Sequence, residues 1–487
     1  MAGIAGILAP QPKPDTVEHM LETIAHRGPD TLSSHQAGEL TAGVRAATLS
    51  DARGDGYATA GDVAVLFDGE IYNDRAEGQS DADVVLELFD RYGRAFPGHL
   101  EGVFACAVWD GSELLLARDT VGVRPLYWGR DGDGNLCFAS EMKALVGVAK
   151  EVTELLPATM FSSVYGTGGY LPYHPNVHVP TKRADAIQRV RDVLLGAVQR
   201  RLDDGAVGAC LLSGGLDSSI IACAIHHLGV RDVPLITVGV EGAPDVENAK
   251  IVAEQLGMEH RIHLYTPDEI EGLVEKAVWT MESFDEDCVS GTIANLIASG
   301  AAAETTNCIL SGEGGDELFG GYHLLKKQPT DNDKIKMMDQ LIAVAYNTAV
   351  QRLDRAMYGN AINYRTPFID AEVVAVAMQL PVRWKIQPTE AKEIEKWIIR
   401  EAFADLLPQA IYERDKLRFA GGSGTDDLMD RIAQDKLPDG AWSEQNRKTP
   451  GGYTLNSPKE MWYYRIFKQQ FPDPAFESLV GRWDPDK

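Results

Sequence analysis

The strand-like run Val207–Leu212 breaks at a short glycine turn, Ser213-Gly214-Gly215-Leu216-Asp217-Ser218-Ser219, and resumes as an apolar helical stretch through His227. A strand feeding a helix this abruptly fits a parallel sheet covered by helices. It also builds a phosphate cradle. Successive backbone N–H groups of Ser213 to Leu216, with the positive end of the following helix, can wrap a polyphosphate where side chains would block it. The turn is not a G-x-x-x-x-G-K-[ST] loop: it lacks the lysine that follows transferring phosphates and puts Asp217 where a metal ligand would sit. The plain alternative is a tight strand-to-helix turn made of small residues.

The same rhythm recurs nearby, with Val233–Val240 followed by Val246–Leu256, which supports the parallel α/β reading. Upstream, from Met1 to about Lys150, the pattern is different. Short apolar runs at Val63–Phe67, Phe104–Trp109, Leu114–Ala117 and Leu126–Trp128 alternate with Gly/Asp turns and read as antiparallel sheets, with one helix near Asp81–Tyr92. Gly166 to Pro180 is rich in Gly, Pro, Tyr and His without a period, and an amphipathic helix, Ala184 to Leu202, follows it. Beyond about Lys334 the chain reads as mostly helical, at Ile335–Arg355, Ala371–Met378 and Ala391–Phe403.

A chain of 487 residues has room for two to four ordinary domains. Its formal charge of −26 argues against a nucleic-acid surface, which needs clustered Lys and Arg, so a bound polyanion must be met by backbone dipoles, metal ions and a few placed cations. The six cysteines (Cys106, Cys137, Cys210, Cys223, Cys288, Cys308) are scattered without C-x-x-C pairs and read as reduced core residues. No charged-then-apolar leader is legible, and no apolar run reaches the roughly 20 residues of a membrane span. The expectation is a cytoplasmic enzyme without a membrane partner.

A second strand runs into a glycine-rich acidic turn at Leu310-Ser311-Gly312-Glu313-Gly314-Gly315-Asp316-Glu317-Leu318-Phe319-Gly320-Gly321-Tyr322. The first turn, S-G-G-x-D-S-S, resembles the pyrophosphate loop of ATP pyrophosphatases. Together the two turns make the chain resemble the asparagine synthetase-type (class B) amidotransferases. The likeness runs nearly end to end, through Ala25-His26-Arg27-Gly28-Pro29-Asp30, Asp68-Gly69-Glu70-Ile71-Tyr72-Asn73, Ala117-Arg118-Asp119, Pro125-Leu126-Tyr127, Ser140-Glu141-Met142-Lys143-Ala144-Leu145, Arg365-Thr366-Pro367-Phe368-Ile369-Asp370 and Ser457-Pro458-Lys459-Glu460.

The resemblance implies an α/β protein in two parts: an Ntn-hydrolase-like α+β sandwich over residues 1–170 and an ATP-pyrophosphatase (PP-loop) parallel-sheet α/β domain over residues 184–487, joined by a linker at 171–183. It implies ATP and Mg²⁺ as cofactors. In such enzymes the first domain strips ammonia from glutamine and the second adenylates a carboxylate that ammonia then attacks. Adenylation is needed because a bare carboxylate would have to expel oxide, whereas its adenylate expels AMP. By this resemblance Ser213, Gly214, Gly215, Ser218, Ser219, Ser311 and Gly312 bind the phosphates, and Leu212, Val238 and Gly239 flank the adenine. Asp217 and Asp316 suit Mg²⁺, and Lys396 and Lys416 stabilise the leaving pyrophosphate. Read alone, either lysine is ordinary solvated surface and Val238 a buried strand residue.

Three comparisons with the family pattern redirect the function. Members that hydrolyse glutamine carry a cysteine nucleophile where this chain has Ala2, and alanine forms no thioester. Their Asn-Gly-Glu oxyanion element reads Asp68-Gly69-Glu70 here, and a carboxylate repels a developing oxyanion. Arg45, Gly69, Glu70 and Asp81 still match glutamine-site positions, so a remnant pocket is expected. In the acid pocket, a Thr-x-Arg element is replaced around Ser290, and an aspartate three residues before the arginine matched by Arg352 is Ala349. Those changes remove a carboxylate clamp and an ammonium partner, which argues against aspartate as substrate. Finally, the related β-lactam synthetases place tyrosine at Glu313, whereas this chain keeps a glutamate able to take a proton from an attacking amine; read structurally, it caps a glycine turn.

The sequence therefore points to an ATP-dependent, AMP-forming amide synthetase, a carbon–nitrogen ligase with Glu313, Lys396 and Lys416 as its catalytic residues. It would join a small-molecule carboxylate other than aspartate to ammonia or an amine without glutamine hydrolysis, as suits a specialised natural-product pathway. Intramolecular lactam formation, ammonia-dependent asparagine synthesis and a silent ATP-binding scaffold are the alternatives, and a homodimer is left open.

Overall fold

Alternating short apolar runs and Gly/Asp turns in the first third of the chain fold as two stacked antiparallel sheets. In the computed structural model the described residues are 2–47, 54, 56–172, 177–390, 392–415, 425–438 and 440–482. One six-stranded sheet contains β1 (Ala2–Leu8), β2 (Thr31–Ala37), β3 (Leu40–Ala46), β8 (Tyr127–Arg130), β9 (Leu136–Ala139) and β10 (Lys150–Glu154), in the order β10-β8-β9-β1-β3-β2. The other contains β4 (Tyr57–Ala60), β5 (Val63–Ile71), β6 (Gly102–Trp109), β7 (Leu114–Arg118), β11 (Thr159–Ser162) and β12 (Gly166–Gly169), in the order β12-β11-β7-β6-β5-β4. Ile4, Val44, Leu66, Ala105, Leu116 and Phe138 fill the layer between them. Helix α1 (Pro14–Thr23) covers the first sheet, and α2 (Asp81–Tyr92) the second. Ser80 and Asp83 close a capping box at the start of α2, and Gly93 at φ +55° ends it.

The stretch from Gly166, expected to lack regular structure, begins as strand β12 paired with β11. Four glycine and threonine residues without an apolar alternation left this strand no sequence signal. Helix α3 (Arg183–Leu202) then leads into the second unit.

That unit is built on five parallel strands in the order β15-β14-β13-β16-β17, from β13 (Ala209–Leu211), β14 (Leu235–Gly239), β15 (His260–Leu264), β16 (Cys308–Leu310) and β17 (Asn363–Arg365). Helices α4 (Leu216–His227), α5 (Pro244–Leu256), α6 (Pro267–Met281) and α7 (Glu286–Ala303) connect them. Successive strands run outward from β13 on one side and from β16 on the other, so the order reverses between these two. Ligands of open α/β sheets lie at the strand carboxyl ends beside such a reversal.

The helical remainder contains α8 (Gly315–Phe319), α9 (His323–Lys326), α10 (Asp331–Ala345), α11 (Ala349–Tyr358), α12 (Ala371–Gln379), α13 (Val382–Lys385) and α14 (Trp397–Ala402). Two expectations change here. The single helix expected over Ile335–Arg355 is divided between α10 and α11, because Thr348 turns to φ −127°, ψ −98° and the side chain of Asn347 donates to Glu154 Oε2 and the Leu479 carbonyl. The helix expected over Ala391–Phe403 is only α14. Glu393–Ile394 pairs with Gln387–Pro388 as a short hairpin, and Lys396 takes a left-handed φ of +53°. All six cysteines are buried free thiols. No helix among the described residues is long and apolar enough to cross a membrane.

Candidate active site

Both glycine turns emerge at the carboxyl ends of adjacent strands, β13 and β16, and meet at the floor of a cavity of about 250 Å³. Helices α2, α6, α7 and α10 have their first amides capped by Ser80, Thr266, Asp285 and Thr330. At α4 the N-cap is Gly215 and no side chain caps it, leaving its first-turn amides at the cavity wall where an anion is favoured. Ser218 Oγ accepts from the Ser213 amide at 3.1 Å and lies 3.0 Å from Ser213 Oγ, which fixes the curl of the turn.

The turns are packed too closely for side chains. A Cβ at Gly315 would lie 2.6 Å from Asp217 Oδ1, and one at Gly321 would lie 1.9 Å from Asp316 Oδ1. These glycines let the two carboxylates converge. Lys396, almost fully buried at the start of α14, pairs with Asp217 and lies 2.6 Å from Asp316 Oδ1. Its ammonium is a stand-in cation between two hard oxygen donors, the donor set that suits Mg²⁺ bound jointly with phosphate oxygens. Among the described residues no group of three or more His, Cys, Asp or Glu forms a closed metal cage.

Glu313 leaves the second turn toward the cavity and receives Arg352 Nη2 at 3.4 Å. Burial opposes the Arg352 charge, but Glu313 holds its guanidinium above the ordinary range. Arg352 is closely boxed: a Cβ on Gly291 of α7 would lie 2.7 Å from its Cδ. Beneath them, Tyr322 donates to Glu317 at 2.5 Å, and burial, with Glu313 and Asp316 nearby, pushes the Glu317 carboxyl up to about 7.

Of the residues singled out from sequence, Leu212, Ser213, Gly215, Asp217, Ser218, Val238, Ser311, Gly312, Glu313, Asp316, Arg352 and Lys396 line this cavity. Gly214 (φ +73°) and Ser219 shape the turn from behind, Ser219 Oγ donating to the Gly215 carbonyl at 2.6 Å, and Gly239 closes β14. Ser290 does not face the cavity. It is buried on α7 with its hydroxyl 3.3 Å from Tyr463 Oη, and Cys288 from the same helix lines the wall instead, a helical rotation that linear spacing did not resolve. Lys416 lies outside the described residues. Sequence reasoning also missed Arg414, which donates to the Gly214 carbonyl and pairs with Asp245, tying the segment before Lys416 to the phosphate turn. An arginine two residues before a singled-out lysine was the available signal.

The remnant glutamine-site residues are engaged in several separate contacts. Ala2 is buried in β1 opposite Ala46. Arg45 Nε donates to the Leu21 carbonyl, and Asp81 pairs with Arg75 at 2.7 Å. Glu70, next to Gly69 on β5, faces the second unit, where Arg365 grips it through Nε and Nη2 and Asn363 donates to it at 2.8 Å. Asp68 receives Arg27 Nη2 at 2.9 Å, and burial raises its carboxyl against the pull of Arg27 and Arg124.

Two family models match parts of the chain. A family model described as Asparagine synthase matches residues 189–349 and 333–478, and one described as Glutamine amidotransferase domain matches residues 1–168. The chain is 30% identical over 519 residues to asparagine synthetase [glutamine-hydrolyzing] 2 of Arabidopsis thaliana, covering 99% of this chain and 89% of that relative. It is 31% identical over 522 residues to the asparagine synthetase [glutamine-hydrolyzing] of Sandersonia aurantiaca, covering 99% of each. Among solved structures, the NMN synthetase of Francisella tularensis matches 58% of this chain and 95% of its own at 11% identity, with a TM-score of 0.29.

Proposed function

The chain belongs to the asparagine synthetase-type class B amidotransferase family and is an ATP-using carbon–nitrogen ligase; from that premise we propose that it adenylates a carboxylate other than aspartate and passes the acyl group to ammonia or an amine without hydrolysing glutamine. The observation that carries this reading is an asymmetry. The ATP-side constellation is assembled around one cavity, whereas the amino-terminal centre has a methyl group at Ala2 and an arginine-bound carboxylate at Asp68.

The ATP phosphates lie along the Ser213–Ser218 turn and the first amides of α4. A carboxylate oxygen of the acid attacks the α-phosphorus, the bond to the bridging oxygen breaks, and pyrophosphate leaves as the acyl-adenylate forms. Lys396 meets the charge that builds on the leaving pyrophosphate. Mg²⁺ held by Asp217 and Asp316 would supply charge neutralisation across the phosphates. An amine nitrogen then attacks the acyl carbon, AMP departs, and Glu313 takes the proton lost by nitrogen. Arg352 orients Glu313 and presents its guanidinium to the acid. Ala349 stands where the family pattern has an ammonium-binding aspartate, which supports an acid other than aspartate; the carboxylate that remains on that wall is Asp287.

The test of the amino-terminal half of this reading is glutamate formation from glutamine, with and without Mg-ATP. No glutamate above the buffer rate is expected; ATP-dependent glutaminase activity would reject it.

A further inference from the structure

Helix α11 packs on α6 and α7 and presents Arg352 to the synthetase cavity, while several of its side chains reach across to the amino-terminal sandwich. Gln351 Nε2 donates to Tyr127 Oη at 3.1 Å and to Glu154 Oε1 at 3.2 Å. Arg355 donates to the same tyrosine at 2.9 Å and pairs with Glu282, whose carboxylate accepts the backbone amides of Met142 and Lys143. Asp354 receives Arg27 Nη1 at 2.7 Å and Arg124 Nη1 at 2.7 Å. The Tyr358 ring lies under both guanidinium groups, at 4.1 Å and 4.9 Å.

Arg27 is the centre of this grip. Three carboxylates share its guanidinium: Asp68 at 2.9 Å, Glu141 at 2.9 Å and Asp354 at 2.7 Å, with all four side chains fully buried. Asp68 is the residue that departs from the family's oxyanion element. An asparagine there would offer Arg27 a neutral acceptor, whereas a carboxylate makes a charge-assisted bond roughly twice as strong. We propose that the Asp68–Arg27 pair is a positioning device for the synthetase cavity: it holds Asp354 and, through α11, fixes Arg352 against Glu313. The inference rests on the reading that the amino-terminal centre hydrolyses no glutamine.

Three features make α11 responsive to that grip. Its ten residues fall below the roughly 12–15 at which even good isolated helices become marginal, so tertiary contacts set its position. Thr348 gives it no side-chain cap. Arg352 and Asp354 are two residues apart, about 200° around the helix, so a displacement at one face is passed to the other. Arg352 has no slack to absorb it, boxed between Gly291 and Glu313.

The experiment is hydrogen exchange by mass spectrometry on the full chain without ligand, comparing the parent with Asp68→Asn, Arg124→Gln and the charge-retaining Asp68→Glu. Exchange across α11 should speed up about tenfold in Asp68→Asn and Arg124→Gln while α4 and α5 keep their rates, and Asp68→Glu should recover part of the protection. Alongside it, pyrophosphate release is followed with Mg-ATP and whichever carboxylate of a defined panel the parent adenylates. In Asp68→Asn the KM for that acid should rise about threefold or more with the KM for ATP unchanged. Unchanged α11 exchange in Asp68→Asn, or a uniform rise along the chain, overturns the proposal. A silent acid panel in the parent counts against the synthetase reading alone, because the exchange measurement does not depend on it.

Discussion

Lys396 Nζ lies 2.6 Å from Asp316 Oδ1 and pairs on its other side with Asp217, so one ammonium joins the ends of both glycine turns. The ammonium thereby offsets the repulsion of two converging carboxylates, and in the proposed reaction it also meets the leaving pyrophosphate. Lys396→Met removes both functions. Pyrophosphate release from Mg-ATP should fall by about 10²–10³, the scale for losing one preorganised charge partner of a transition state. Retention of the parent rate in a steady-state pyrophosphate assay would remove Lys396 from the mechanism.

Glu313 separates the two half-reactions. Glu313→Gln keeps a polar group near Arg352 but cannot accept a proton, so acid-dependent ATP–pyrophosphate exchange should persist while amide formation drops by about 10²–10⁴. Equal loss in both assays would mean that the residue shapes the pocket rather than acting as base.

Restoring a thiol should not restore a glutaminase. Ala2→Cys places a nucleophile in β1, but the adjacent centre still presents Asp68, and Glu70 remains bound by Arg365. No glutamate release and no glutamyl thioester by intact-mass analysis are expected. Turnover of glutamine by this single variant would show that Asp68 does not block the oxyanion.

Acid should part the two units. Burial alone would raise the Asp354 carboxyl, but Arg27 and Arg124 of the amino-terminal unit hold it below the ordinary range. A folded value below the unfolded one of about 3.9 means that this stabilisation is fully present above about pH 5 and is lost as the pH falls through the folded value. The urea midpoint should therefore drop between about pH 5 and pH 3. Asp354→Asn should flatten that drop and cost about 3–5 kcal/mol at neutral pH, because it leaves buried arginines undercompensated. A midpoint independent of pH in the parent would contradict the assignment.

The sequence made the parallel sheet and both glycine turns legible because each is local: a strand, a small-residue turn and a helix follow one another within a few residues. The convergence of Asp217 with Asp316, and the cavity between them, followed from the two turns lying on adjacent strands. What was not legible was set by tertiary contact. Lys396 reads as part of a helix, yet its left-handed φ ends a hairpin and aims the ammonium at both aspartates. Ser290 and Cys288 sit two residues apart on α7, and only the packing of that helix decides which one meets the cavity. Arg27 and Asp354 touch across 327 residues, and nothing in either local pattern announces it. Asp68 read as a loss of function, whereas its burial against Arg27 gives it a partner.

The most direct measurement is pyrophosphate release from Mg-ATP across a panel of amino acids and small carboxylic acids that includes aspartate, each with ammonium, with glutamine and with neither. Release is expected with an acid other than aspartate, with amide product when ammonium or an amine is supplied and no product nitrogen drawn from glutamine. Aspartate-dependent release with glutamine serving as well as ammonium would contradict this reading and return the chain to ordinary asparagine synthesis.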